Sequence, residues 1–135
     1  MKLEVLLVDD DPTVIFMHKR LLNNSIPAKT CVVANDGSQA IKYVLNHEDN
    51  QANFLILLDI NMPVMDGWGF LDAIQGHEVA NRRYVVMVTS SIDNHDKLKS
   101  ANYPQVIGFF EKPMNLETCM EIKRLNRLSP FFQAN

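Results

Sequence analysis

Four short apolar runs punctuate the chain: Leu3–Val8, Phe54–Leu58, Tyr84–Val88 and Val106–Phe110, each rich in Val, Ile, Leu or Phe. Runs of this length with little polar alternation predict strands buried on both faces, as in a parallel sheet. A weaker run, Lys29–Ala34, predicts a fifth strand at an edge. Helical patterns fill the intervals. Asp11-Pro12 supplies a cap and a first-turn proline, after which Val14, Met17 and Leu21 recur at helical spacing. Gly37-Ser38 introduces a second helix with Ala40, Ile41, Val44 and Leu45 on one face. Asp66-Gly67 leads into a third carrying Phe70, Leu71 and Ile74, weakened at Gly69 by roughly 1 kcal/mol relative to alanine. Asp93 to Ala101 reads as a polar fourth helix, and Asn115 caps a fifth running to about Arg127. Strand and helix thus alternate, which predicts an α/β fold with a doubly wound, five-stranded parallel sheet of order 2-1-3-4-5 and helices on both faces.

A length of 135 residues matches one domain, since about 100–200 residues per domain is usual. Apolar residues make up 47% and charged ones 21%, which excludes disordered, collagen-like and disulfide-scaffold classes. The net charge of −3 gives no general reason to expect nucleic acid or an anionic membrane as partner. Cys31 and Cys119 lack metal-ligand spacing and sit in apolar contexts, as buried free thiols do; a reducing cytoplasm is expected. The opening MKLEVLLVDDD ends in acids, unlike a signal peptide, and no run approaches the roughly 18 apolar residues that span a bilayer. The histidines (His18, His47, His77, His95) lie too far apart for a local metal motif and read as surface residues. The methionines read as core fillers, and Trp68 as packing at the start of the third helix.

In an open α/β sheet, ligands bind beyond the carboxyl ends of the strands, where the winding direction reverses. Strand one is followed by Asp9, Asp10 and Asp11, strand three by Asp59 and Asn61, strand four by Thr89, Ser90 and Ser91, and strand five by Lys112 and Pro113. Asp11 is accounted for as the helix cap. Asp9, Asp10 and Asp59 would converge, and like charges that close need neutralising. Hard oxygen ligands without a nearby imidazole or thiolate favour Mg²⁺, or Mn²⁺, over zinc. With a Thr89 hydroxyl and the Lys112 charge for phosphoryl oxygens, the set matches phosphoryl transfer to a carboxylate.

The segments VLLVDDDPTV, FLILLDINMPVMDGWGFL, YVVMVTSS and VIGFFEKPMNLE, taken jointly and in order, resemble the response-regulator receiver domain of two-component signalling. The resemblance runs from about Leu3 to Arg127 and implies a flavodoxin-like three-layer sandwich: a receiver domain over 1–128 and a short C-terminal tail over 129–135, the tail expected to fray unless Phe131 and Phe132 dock. It implies that Asp59 is the phosphoacceptor, that Asp10 binds Mg²⁺ directly and Asp9 through water, and that the Asn61 backbone carbonyl is a further ligand. It makes Thr89 the switch hydroxyl, Lys112 the lysine that pairs with the phosphoryl group, and Phe109 an aromatic switch without the phenol hydroxyl of members that carry Tyr. It implies a cis Lys112-Pro113 bond. The stretch SANYPQVIG, Ser100 to Gly108, departs from the small-residue turn often seen before strand five, and Asn61 and Ser91 lie where side chains could control water access to Asp59.

The function so implied is that of a stand-alone, chemotaxis-regulator-like response regulator in the cytoplasm. It would take a phosphoryl group from a sensor histidine kinase or histidine phosphotransfer protein and signal by binding a downstream protein, as a monomer or weak dimer. It would be no enzyme beyond its own phosphorylation and dephosphorylation. Two other readings stand beside it. Asp9-Asp10-Asp11-Pro12-Thr13 fits D-x-D-x-T, which looks like the nucleophile motif of haloacid-dehalogenase-type phosphatases with Asp9 as nucleophile, but Asp59 is then unexplained. An unphosphorylated receiver-like interaction module is the other, against which the intact set of acids argues.

Overall fold

The computed structural model describes residues 3–27, 31–47, 53–75, 82–90 and 93–132. Five strands, β1 (Leu3–Val8), β2 (Cys31–Ala34), β3 (Asn53–Leu58), β4 (Arg83–Thr89) and β5 (Val106–Glu111), alternate with five helices: α1 (Pro12–Ser25), α2 (Gly37–Asn46), α3 (Gly67–Ile74), α4 (Asn94–Ser100) and α5 (Leu116–Arg124). All strand pairs are parallel and the order is β2-β1-β3-β4-β5, as the alternation predicts. The edge strand β2 begins at Cys31 among the described residues; Lys29 and Thr30 of the expected run lie outside them, as do His77, Ser91 and the last three residues of the tail.

The near-continuous apolar character of the central strands is explained by cover on both sides. Leu6, Val8, Phe54, Ile56, Leu58, Val85 and Met87 point to one face and pack with Ala40 and Val44 of α2 and Phe70, Leu71 and Ile74 of α3. Val5, Leu7, Leu55, Leu57, Val86 and Val88 point to the other and pack with Leu22 of α1 and Cys119 and Ile122 of α5. Each helix starts on a side-chain cap. Asp11 accepts from the Thr13 and Val14 amides, Asp36 from Gln39, Asp66 from Gly69, Asp93 from His95, and Asn115 forms a reciprocal capping box with Thr118.

Four details differ from the sequence expectation. The buried stripe of α1 is not centred on Val14, Met17 and Leu21: Met17 is 44% exposed, His18 and Leu22 are buried, and Leu21, like Ile15, packs beside them partly buried. His18, expected at the surface, is therefore a core residue. Helix α5 ends at Arg124 rather than Arg127. Finally, the tail does not fray where it is described: Leu128 is fully buried, Ser129–Phe131 form a 3-10 turn, and Phe131 and Phe132 pack on the α1/α5 face, Phe131 edge-on to Tyr84 at 5.8 Å. In the SANYPQVIG stretch, the Tyr103 hydroxyl donates to Asp72 Oδ1 at 2.7 Å, and the ladder between β4 and β5 shifts register at Val85/Val86 before resuming at Gly108.

Candidate functional site

Register places the acids. Val8 pairs with Leu58, so β1 and β3 end level with one another and the next residues, Asp9 and Asp59, emerge side by side. The Asp59 amide donates to the Val8 carbonyl at 3.0 Å and the Asp9 amide to the Ala34 carbonyl at 3.1 Å, continuing the ladder one residue past the strands. Carboxylate oxygens of Asp9, Asp10 and Asp59 all lie within 4.8 Å of one another; Asp9 is 2% and Asp59 4% exposed, and Asp10 faces solvent. From the end of the edge strand β5, on the same rim, Lys112 Nζ reaches Asp9 Oδ2 at 3.0 Å and Asp59 Oδ2 at 3.3 Å. Its own amide is anchored to the Thr89 carbonyl at 2.7 Å.

Three carboxylates against one ammonium leave a local excess of negative charge in a half-buried crevice, and the electrostatics register it. Burial pushes the Asp59 carboxyl above the usual carboxylate range; the Lys112 charge opposes this, and Asp9 and Asp10 add to it. Burial works against the Lys112 ammonium too, but its hydrogen bond to Asp9 and the charge of Asp59 outweigh that and hold the group above its ordinary value. A cluster of hard oxygen donors with uncompensated charge and one side open to water fits a divalent cation with a preference for oxygen.

A stability consequence follows from the direction of the Asp59 shift. The folded chain holds this proton to higher pH than the unfolded chain. The ionised carboxylate is therefore a net cost, absent below the ordinary carboxylate pKa and complete once the pH has risen past the raised folded-state value. Without divalent cation, Asp59→Asn is expected to raise unfolding stability at neutral pH by about 1 kcal/mol, a gain that shrinks on acidification. Urea denaturation across that range checks it; a less stable variant at neutral pH would refute the assignment of cost to Asp59.

The loop after Asp59 is shaped by close approach and by strain. A Cβ on Gly67 would lie 2.5 Å from the Asp59 carbonyl oxygen and 3.1 Å from Ile60 Cα, and the Gly67 amide donates to the Ile60 carbonyl at 2.9 Å. Gly67 is thus the floor against which the Asp59 backbone rests, a residue sequence reasoning read only as a helix start. Val64 has φ 68° and the Met65 amide bonds back to the Pro63 carbonyl at 2.8 Å, a γ-turn centred on a β-branched residue. Because Val64 is 87% exposed, its side chain contributes little packing to offset that strain. Val64→Gly is expected to stabilise by about 1 kcal/mol, read as a higher urea midpoint at constant m-value; an unchanged or lower midpoint would mean the turn is not strained.

The other expected residues are placed as follows. Thr89 closes β4, 1% exposed. Asn61 is exposed in the loop directly after Asp59 and Ile60. Phe109 lies in β5 opposite Met87, half-buried against the α2/α3 face. The Lys112–Pro113 bond is cis. Trp68, buried beside Gly67, carries Lys99 Nζ 4.6 Å above its ring and Tyr103 at 5.7 Å.

Fold and strand-end chemistry together define a class, and the family comparison agrees: the chain matches the response regulator receiver domain over residues 5–124 and belongs to that family. Among individual relatives, it is 32% identical over 95 residues to a probable chemotaxis protein CheY of Rhizobium etli, an alignment covering 68% of this chain and 67% of that protein. The match to a probable C4-dicarboxylate response regulator of Bacillus subtilis, at 25% identity, spans 47% of that longer protein. Similar solved structures include a two-component response regulator from Cytophaga hutchinsonii (25% identity, TM-score 0.84, 96% of this chain and 99% of that one). Another is the chemotaxis protein CheY4 of Vibrio cholerae (26%, 0.76, 93% and 99%). A third is the phosphorylated cyanobacterial phytochrome response regulator RcpA (25%, 0.77, 99% and 98%). The chain is a CheY-like receiver, a signalling module of two-component systems.

Proposed function

We propose that this receiver accepts a phosphoryl group on Asp59 and signals by changing what its surface binds. The observation that carries the reading is the convergence of Asp9, Asp10, Asp59 and Lys112 at the β1/β3 switch point. Asp59 is the acceptor in this reading because it follows β3 at the position the receiver motif gives to the phosphoacceptor, and Lys112 at 3.3 Å can balance the added charge. Its carboxylate oxygen forms the bond to phosphorus as the P–N bond to a donor phosphohistidine breaks, and the leaving imidazole keeps the electron pair. Asp9, Asp10 and Asp59, with the Asn61 carbonyl, would hold Mg²⁺ (Mn²⁺ is the alternative), which when bound neutralises charge on the phosphoryl oxygens. The Thr89 hydroxyl and Lys112 then ligate the phosphoryl group, and Phe109, half-buried next to Thr89's strand, reports the change by repacking.

The donor in this reading is a sensor histidine kinase or histidine phosphotransfer protein, the output partner a protein, and the setting the cytoplasm. Residues 1–128 form the receiver unit, whose last fully buried side chain is Leu128, and 129–135 its tail. The test is labelling with acetyl phosphate and Mg²⁺. Wild type and Asp9→Asn should form an acid-stable, base-labile adduct, the latter slowly, and Asp59→Asn none. An adduct that survives in Asp59→Asn and is lost in Asp9→Asn would overturn the assignment. Quenching or enhancement of Trp68 emission on Mg²⁺ titration should accompany binding, since Trp68 adjoins Gly67 at the Asp59 backbone.

A further inference from the structure

A histidine at a core position needs a partner, because burying an unpaired imidazole is costly. His18 is 1% exposed on the buried stripe of α1, between Ile15 and Leu22. Its Nε2 accepts a hydrogen bond from the Met114 amide at 2.9 Å, a fully buried contact between residues 96 apart in sequence. Met114 is the second residue after Lys112, and Pro113 between them has no amide to donate. The segment that carries the Lys112 ammonium to Asp9 and Asp59 is therefore fastened at two points: the Lys112 amide to Thr89 on the sheet and the Met114 amide to an imidazole on α1.

We propose that His18 is a positioning residue for phosphoryl transfer: its neutral imidazole fixes the backbone after β5 and thereby sets where Lys112 Nζ stands relative to Asp59. This rests on the reading of Asp59 as phosphoacceptor. An accepting Nε2 puts the ring proton on Nδ1, and burial, with the Lys112 charge, favours the neutral ring over the opposing pull of Asp9. The three carboxylates stand on the β1 and β3 ends and do not depend on this clasp, so metal binding and phosphoryl transfer should separate.

The experiment compares His18→Leu, His18→Gln and His18→Asn by initial rate of phosphorylation from acetyl phosphate and by Mg²⁺ affinity. His18→Leu keeps bulk without an acceptor and should lose about tenfold or more in rate, with Mg²⁺ affinity near wild type. Gln, whose Oε1 reaches about as far as Nε2, should restore most of the rate; the shorter Asn should not. In a Lys112→Met background, His18→Leu should cost nothing more, because the residue it positions is gone. A wild-type rate in His18→Leu, or the same fractional loss with and without Lys112, would overturn the proposal and leave His18 a packing residue. If wild type itself takes no phosphoryl group, the acceptor reading fails first. Should His18→Leu not fold, the Gln and Asn variants carry the comparison, and ¹⁵N shifts of the wild-type ring test the clasp: an Nδ1–H tautomer supports it and an Nε2–H tautomer refutes it.

Discussion

Lys112→Met is expected to slow phosphorylation of Asp59 by about 100-fold while leaving Mg²⁺ binding intact or tighter. The ammonium bonds Asp9 Oδ2 and Asp59 Oδ2, two of the oxygens a cation would also use. Removing it deletes the charge that holds Asp59 toward its ionised form and that would face the incoming phosphoryl oxygens. It also removes a competitor for the same carboxylates, which is why metal affinity and transfer rate should move apart. Methionine keeps most of the aliphatic stem, so packing loss is small. Phosphorylation kinetics beside a Mg²⁺ titration decide the matter. Parallel loss of both would mean that Lys112 holds the crevice together rather than acting on the phosphoryl group.

Gly67→Ala is the second large effect, expected to destabilise by about 3 kcal/mol and to reduce phosphorylation of the protein that still folds. The added methyl would meet the Asp59 carbonyl oxygen at 2.5 Å, and backbone on both sides, not a flexible side-chain end, must yield. The displacement falls on the peptide that carries the acceptor. Gly69→Ala makes a useful contrast, since its nearest neighbour is the movable Met65 Cγ at 2.9 Å. Denaturant midpoints and labelling rates for both variants check this. A Gly67→Ala protein as stable and as readily phosphorylated as wild type would show that the Asp59 loop tolerates the shift.

Strand positions and the four-residue site were legible because each apolar run ends abruptly in a chemically distinctive residue, and the parallel topology places those ends along one rim. The D-x-D-x-T reading loses its footing for a structural reason as well as a family one. Asp11, its second acid, has Oδ1 engaged by the Thr13 and Val14 amides at the start of α1. What escaped sequence reading depended on contacts far apart in the chain. Two stripes one residue apart, Val14-Met17-Leu21 and Ile15-His18-Leu22, share the same spacing, and an imidazole in the second hid its claim to the core until Met114 supplied a partner. Docking of Phe131 and Phe132 was open from the sequence, but the surface that receives them, the α5 face and Tyr84, is not visible in a seven-residue tail. The strain at Val64 is likewise a property of the closed loop, not of the residue's own propensity.

The most direct measurement is reductive trapping of the phosphorylated wild-type protein with borohydride, which converts an aspartyl phosphate to homoserine, followed by peptide mapping. Homoserine at position 59, formed only when Mg²⁺ and a phosphodonor are both present, is the expected result. Homoserine at position 9, or none in protein that has bound Mg²⁺ and been exposed to the donor, would contradict it.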